Sequence, residues 1–157
     1  MIPFALFEFT FYNTSVSKGF VAKTNIIINA PISKAWDALV NPELIKQYMF
    51  GTTVISDWKE GSSIVWKGEW KGNSYQDKGN IIKIEPEKIL EVTHYSPLSG
   101  AADISENYHT VTYELIQEGD TTKIILTQDN NVNEEEKEHS EKNWQMFLEG
   151  LKELLEK

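Results

Sequence analysis

The C-terminal stretch NEEEKEHSEKNWQMFLEGLKELLEK, from Asn133 to Lys157, decides how the rest of this chain folds. Asn133 is a suitable helix N-cap, and Glu136 follows three residues later in the capping-box position. Apolar residues then recur at steps of three and four, the spacing of one helix face. They are Trp144, Phe147, Leu148, Leu151, Leu154 and Leu155. The pattern predicts one long helix that packs by its C-terminal half.

The first half of this predicted helix is polar, because Ser140, Glu141 and Asn143 precede the apolar face. Two arrangements would explain a helix that is polar at one end. Its first turns can extend beyond the core into solvent, or they can line a wet cavity. A polar helix surface is most often simply solvated, so we expect the first two turns to extend into solvent.

Upstream of this helix, the sequence predicts strands and two short helices. A strand-like run over 20–29 is followed by Pro31, which suits the start of a helix, and by Asn41-Pro42, which suits the start of a second. Alternating apolar and polar residues then indicate antiparallel strands with one solvated face. These runs cover 52–58, 62–70, 74–85, 89–96, 106–117 and 121–129. The predicted fold is therefore α+β: a curved antiparallel sheet of about seven strands wrapped on the long C-terminal helix, with two short helices after strand 1.

Composition excludes several classes of function. The net charge of −9 argues against a nucleic-acid partner and against an anionic membrane surface. The chain has no Arg, so it lacks bidentate clamps for phosphate, and no Cys, so it lacks disulfides and thiolate chemistry. No stretch is long and apolar enough to span a membrane, and the start lacks the features of a signal peptide. We expect a cytoplasmic protein without a cofactor.

Residues 1–19 do not fit the pattern of the rest. Phe4, Phe7, Phe9 and Phe11 crowd the start, and a polar linker follows them. We expect an N-terminal extension over 1–19 and a single domain over 20–157. The extension could be an added strand, an arm onto a partner subunit, or a misassigned start. Pairing of the arm or of edge strands would give a homodimer.

Histidines are the best candidates for acid–base chemistry, since their pKa lies near neutrality. Alternation places His94 and His109 on the inward faces of two strands, where a hydrogen-bonded wall histidine is the commoner role. His139 is expected at the surface, and no spacing suggests a metal site. Glu69 and Glu91 are expected on the solvated face of the sheet.

Three segments carry a resemblance to a known family. They are IIINAPISKAWDALVNPELIKQYM (Ile26–Met49), GSSIVWKGEW (Gly61–Trp70) and KGNIIKIEPEKILEVTH (Lys78–His94). Together with the long C-terminal helix, they resemble the SRPBCC (START/Bet v 1-like) superfamily, and within it the Activator of Hsp90 ATPase homologue 1-like (AHSA1-like) group. The resemblance covers roughly 20–157. It implies the helix-grip fold, in which a seven-stranded antiparallel sheet grips the C-terminal helix around a ligand cavity.

The same resemblance implies three classes of function. Members of the superfamily bind lipids, hormones and polyketides, a few catalyse cyclisation or dehydration, and the group takes its name from a co-chaperone domain. We expect first a binding protein for a small hydrophobic or amphipathic molecule, with a chaperone-linked interaction factor and a polyketide cyclase-like enzyme as alternatives. An interaction factor would use the apolar Met1–Phe11, and an enzyme would use His94 or His109. The residues expected to meet at the ligand site are Trp36, Trp66, Trp70, His94, His109, Tyr113 and Trp144.

Overall fold

The computed structural model of the protein describes residues 18–157. The Phe-rich start and most of the extension predicted over 1–19 lie outside the described residues. Lys18 and Gly19 are described, and the first strand begins directly after them at Phe20.

Seven antiparallel strands form one sheet, in the order β1-β7-β6-β5-β4-β3-β2. The strands are β1 (Phe20–Ile28), β2 (Thr53–Ser56), β3 (Ser63–Trp70), β4 (Asn73–Glu85), β5 (Ile89–His94), β6 (His109–Glu118) and β7 (Thr121–Asn131). The helices are α1 (Ile32–Val40), α2 (Pro42–Tyr48) and α3 (Glu134–Leu155). The α+β helix-grip fold is confirmed. One predicted boundary was wrong, since a 3-10 turn over Ser105–Asn107 delays the start of β6.

Local sequence signals explain where the helices begin. The Asn133 side chain accepts a hydrogen bond from the Glu136 backbone N–H at 2.8 Å, and the Glu136 carboxylate accepts one from the Val132 N–H at 3.2 Å. In the same way, the Asn41 side chain accepts from the Glu43 N–H at 3.1 Å ahead of α2. These side chains satisfy backbone donors that a helix terminus leaves unpaired.

The core lies between the concave face of the sheet, helices α1 and α2, and the C-terminal half of α3. Ile28 and Ile124 from the sheet and Leu151 from α3 are completely buried in it. A buried hydrogen bond from the Tyr48 hydroxyl to the Ala38 carbonyl, 2.7 Å long, ties α2 to α1. Burying one large apolar side chain such as Ile28 or Leu151 stabilises the fold by roughly 1.5–3 kcal/mol.

An irregular pairing between β4 and β5 shapes the centre of the sheet. Ile81 pairs with Val92 and Lys83 with Glu91, so β4 carries one extra residue between these pairs. Such bulges bend a strand and increase its twist. Just before the bulge, Gly79 approaches β5 so closely that a Cβ built on it would lie 1.7 Å from the Thr93 carbonyl oxygen. The backbones can therefore meet here only because residue 79 is glycine.

The predicted solvation of Glu91 was wrong. Glu91 does lie on the convex face, opposite Val92, but it is only 5% exposed. Its carboxylate accepts a hydrogen bond of 2.9 Å from the Thr112 hydroxyl on the neighbouring strand. A central strand of a wide sheet is covered by the side chains on both sides of it, so the convex face is dry at this point.

Candidate functional site

A cavity of about 670 Å³ lies between the concave face of the sheet and the N-terminal half of α3. Apolar side chains form most of its wall: Met49, Phe50, Trp66, Trp70, Val92, Leu98, Val111, Tyr113, Trp144, Met146 and Phe147. Polar side chains complete it: Thr52, Glu69, Tyr75, Asp77, His94, Ser96, Gln128, His139, Ser140 and Asn143. Phe50, Trp70, Leu98 and Met146 are large apolar residues that are both exposed and part of the wall, so they form the rim.

The polar half of α3 faces this cavity, contrary to the expectation that it extends into solvent. His139, Ser140 and Asn143 all line it. The Ser140 hydroxyl donates a hydrogen bond of 2.9 Å to the Asn131 side chain at the end of β7, which holds this half of the helix against the sheet. His139 is exposed, as expected, but it lies at the edge of the cavity.

Aromatic rings form a continuous wall from the buried floor to the exposed rim. The Tyr113 and Trp144 rings meet edge to face, with centroids 6.1 Å apart. Phe147 lies 5.7 Å from Trp144 and 5.7 Å from Phe50, and Phe50 lies 5.8 Å from Trp70. Such tilted and perpendicular contacts are the favoured geometries for aromatic pairs. Burial raises the pKa of the Tyr113 hydroxyl, so the floor of the cavity stays uncharged at this position.

A histidine–carboxylate pair lies on the same wall. His94 Nε2 is 2.9 Å from Asp77 Oδ2, and the Trp66 ring contacts the His94 ring edge-on with centroids 5.0 Å apart. Because a carboxylate only accepts hydrogen bonds, His94 Nε2 carries the hydrogen and Nδ1 of the neutral ring is an acceptor. The other oxygen, Asp77 Oδ1, is buried and has no hydrogen-bond partner among residues 18–157. A carboxylate that orients an imidazole in this way is suited to general acid–base chemistry.

Two further hydrogen-bonded groups fix polar side chains on the wall. The Thr52 hydroxyl donates to the Met49 carbonyl at 2.6 Å, and the Tyr75 hydroxyl lies 2.5 Å from the Thr52 oxygen. On the opposite side, Trp144 Nε1–H donates to Gln128 Oε1 at 2.5 Å. Bonds of this kind hold each side chain in one orientation.

Five of the seven residues predicted for the ligand site line this cavity: Trp66, Trp70, His94, Tyr113 and Trp144. Trp36 does not, because α1 directs it into the hydrophobic core, where it is only 9% exposed. His109 is also outside the wall. Its ring lies 6.4 Å from that of His94, and its Nδ1–H donates a 2.8 Å hydrogen bond to the Asp129 carbonyl.

Sequence reasoning missed several residues of the wall, among them Phe50, Tyr75, Asp77 and Gln128. Alternation along β4 could have identified Tyr75 and Asp77, since they lie two residues apart on the face that Gly79 continues. Glu69 is exposed, as predicted, and its pairing with Ser74 puts it on the face opposite Trp66 and Tyr75. It nevertheless borders the cavity at the exposed end of the β3–β4 hairpin. Within residues 18–157, no group of three or more acidic, His or Cys side chains could hold a metal ion.

A sequence model for the family described as Activator of Hsp90 ATPase homolog 1-like protein matches residues 29–156. The chain belongs to this family. Among solved structures, the AHSA1-like chain is similar to the solution structure of ChR145 from Cytophaga hutchinsonii, with 56% identity and a TM-score of 0.78. That alignment covers 90% of this chain and 97% of ChR145. No curated protein matches the sequence.

Two more distant structures share the fold alone. CalU16 from Micromonospora echinospora is 19% identical, with a TM-score of 0.65 over 87% of this chain and 84% of that one. The Aha1 dimer from Colwellia psychrerythraea is 20% identical, with a TM-score of 0.67 over 87% of this chain and 96% of that one. In the part of the AHSA1-like chain that the structure describes, no helix is long and apolar enough to cross a membrane.

Proposed function

We propose that this protein binds a small apolar or amphipathic molecule in the cavity between the sheet and α3. The observation that carries the proposal is the cavity itself. Its volume of about 670 Å³ lies within the range of roughly 300–1,000 Å³ that is typical of small-molecule sites. The wall is aromatic and apolar, with a few polar groups held in fixed orientations, which is the usual composition of such sites.

Fluorescence titration with Nile red, a neutral apolar dye, tests this proposal. Asn143 lines the cavity from α3, is exposed, and makes no side-chain hydrogen bond within residues 18–157, so Asn143→Trp narrows the cavity without disturbing the core. The adjacent Lys142→Trp adds the same side chain outside the cavity and serves as the control. We expect saturable dye binding that Asn143→Trp weakens about tenfold, the effect of losing ~1.4 kcal/mol of contacts, while Lys142→Trp leaves it unchanged.

The absence of saturable binding by the wild-type protein would refute the proposal. Equal dye affinities of the two variants would place the dye elsewhere on the surface. Native mass spectrometry of protein purified gently from its own host then supplies the mass of the physiological ligand, as an adduct that is lost on denaturation.

An enzymatic role is the second candidate, and the Asp77–His94 pair is the observation that favours it. Its test needs the ligand obtained by native mass spectrometry. That ligand is incubated with wild-type protein, His94→Ala and Lys142→Ala, an exposed control outside the cavity, and its mass is followed over time. Conversion by the wild type and the control but not by His94→Ala would support catalysis. An unchanged mass with all three proteins would leave binding as the function.

Two expectations about assembly stay proposals. Met1–Phe11, the surface proposed for an interaction factor, lies outside the described residues. Homodimerisation, the state named for the Colwellia Aha1 relative, is proposed here through the extension at 1–19 or through edge strands of the 20–157 domain. Light scattering on the full chain and on a chain that starts at Lys18 would separate these two routes.

A further inference from the structure

We propose that the cavity selects ligands whose polar end donates hydrogen bonds and is neutral or positively charged, such as an alcohol or an amine, over ligands that end in a carboxylate or phosphate. This inference rests on the proposed binding function and specifies its ligand class. It follows from two features of the wall. Several of its hydrogen-bond donors are already bonded within the protein, and its charged side chains are negative.

The Tyr75 group offers an acceptor to the cavity. Thr52 has a single hydroxyl hydrogen, and the Met49 carbonyl, which can only accept, takes it at 2.6 Å. The 2.5 Å contact between Thr52 and Tyr75 therefore requires Tyr75 to donate. Its hydrogen is used within the protein, and its oxygen retains a free lone pair.

The other wall side chains that hydrogen bonds hold in one orientation have also used their hydrogens within the protein. The indole hydrogen of Trp144 is used by Gln128, whose Nε2 donates to Asn131 Oδ1 and to Ser140 Oγ, each at 3.4 Å. His94 donates Nε2–H to Asp77, which leaves Nδ1 of the neutral ring as an acceptor. Of the side chains with fixed orientation, Tyr75, Gln128 and His94 thus present acceptors, whereas a ligand carboxylate needs donors.

The charge of the wall acts in the same direction. Glu69 and Asp77 line the cavity, no Lys among residues 18–157 lines it, and the chain contains no Arg. Asp77 Oδ1 lies buried within the wall without a hydrogen-bond partner among the described residues, so its charge acts on the cavity through a poorly hydrated medium. The nearby Lys71 ammonium lies outside the wall, 5.6 Å from the Trp70 ring centre.

Some groups of the wall remain able to donate, namely Trp66, Trp70, Ser96, Tyr113, His139 and Asn143. None of them carries a fixed positive charge. A ligand anion would therefore lose hydration without gaining an ion pair, which is costly. A ligand amine or alcohol would instead donate to unused acceptors, and an amine would gain the attraction of two carboxylates.

Competition between three ligands of equal chain length tests the inference. Decylamine, decan-1-ol and decanoate, each below its aggregation concentration at pH 8, are titrated against protein-bound Nile red. We expect decylamine and decan-1-ol to displace the dye, and decanoate to be at least tenfold weaker. A tenfold difference in affinity corresponds to ~1.4 kcal/mol, which is no more than one hydrogen bond to a charged group contributes.

Variants assign the preference to the wall. Glu69→Gln, at an exposed position that tolerates change, and the double variant Glu69→Gln/Asp77→Asn should reduce the preference for decylamine over decanoate stepwise. Glu114→Gln makes the same change of charge at an exposed position between inward-facing Tyr113 and Leu115, outside the cavity, and should leave the preference intact.

The outcomes separate the two proposals. Absence of dye binding overturns the proposed function and this inference with it. Dye binding with decanoate equal to or better than decylamine overturns the inference alone. A preference that persists in both wall variants, or that is lost equally in Glu114→Gln, overturns its assignment to Glu69 and Asp77.

Discussion

Replacing Gly79 with alanine should be the most damaging single-methyl change in the described part of the sheet. The new Cβ would lie 1.7 Å from the Thr93 carbonyl oxygen and 2.5 Å from the Thr93 carbonyl carbon. Both are backbone atoms of the adjacent strand, so no side-chain rotation relieves the clash. The strands β4 and β5 must separate by more than an ångström before the contact reaches an ordinary van der Waals distance of about 3.5 Å.

The cost of this separation can be worked from the bonds it stretches. Lys78 N–H donates to the Tyr95 carbonyl at 3.0 Å, and Tyr95 N–H donates to the Lys78 carbonyl at 2.8 Å. Each such bond contributes about 0.5–1.5 kcal/mol net, and overpacking itself costs about 1–3 kcal/mol. We expect Gly79→Ala to lower the free energy of unfolding by roughly 2–6 kcal/mol, a large part of the ~5–15 kcal/mol typical of a domain.

Urea unfolding followed by tryptophan fluorescence and by circular dichroism measures this loss. Gly150→Ala is the matched control, because the nearest atom to its new Cβ is the Tyr48 Cβ at 3.4 Å, an ordinary contact. Since Gly150 lies within α3, alanine should stabilise it by roughly 0.5–1 kcal/mol. Gly79→Ala within 1 kcal/mol of the wild type would refute the argument from backbone contact.

Three smaller effects should be measurable in the same way. Asn133→Ala removes the side chain that accepts from the Glu136 N–H at 2.8 Å and should cost about 1 kcal/mol, read from thermal melts. Burial raises the pKa of Tyr113, so its contribution is complete below the usual tyrosine pKa of about 10 and is lost as the pH rises above it. Tyr113→Phe should therefore flatten the fall in urea stability between pH 9 and 11. The pKa of Glu156 is lowered, first by the hydrogen bond from the Asn29 backbone N–H and then by the one from Lys152. The contribution of Glu156 to stability is therefore lost as the pH falls below the usual range for glutamate. Glu156→Gln should weaken the pH dependence of the melting temperature between pH 3 and 5. A pH dependence as steep as that of the wild type, in either Tyr113→Phe or Glu156→Gln, would contradict the role assigned to the replaced residue.

Much of the fold was predictable because its signals are local. Asn41 and Asn133 mark helix starts through bonds to residues two and three positions away, which any sequence reader can anticipate. Alternation along β5 and β6 likewise placed His94 and His109 on one face, where the structure pairs them directly across the two strands. Such signals need no knowledge of the rest of the chain.

The residues of the cavity wall were less predictable. Periodicity shows which face of a helix or strand is apolar, but not whether a residue on that face packs in the core or lines the cavity. Trp36 and Trp144 each lie on the apolar side of a helix, yet the first is packed in the core and the second lines the cavity. The contact of Asp77 with His94 requires two backbones to meet at Gly79, beside a bulge that no period in the sequence reveals. Glycine at that position is explained only once the opposite strand is known.

The polar half of α3 shows where a further physical argument would have changed the prediction. Polarity alone does not distinguish a helix surface in solvent from one that lines a wet cavity, because water satisfies both. Length and hydrogen bonds to the sheet together distinguish them. The helix has 22 residues and is about 33 Å long, whereas β7 and β4 have 11 and 13 residues and reach about 36 and 43 Å. A helix no longer than the strands beside it can lie against the sheet over its whole length, and the hydrogen bonds of Ser140 to Asn131 and of Trp144 to Gln128 hold the polar half of α3 there. Since residues there remain polar, the space that they face must be wet.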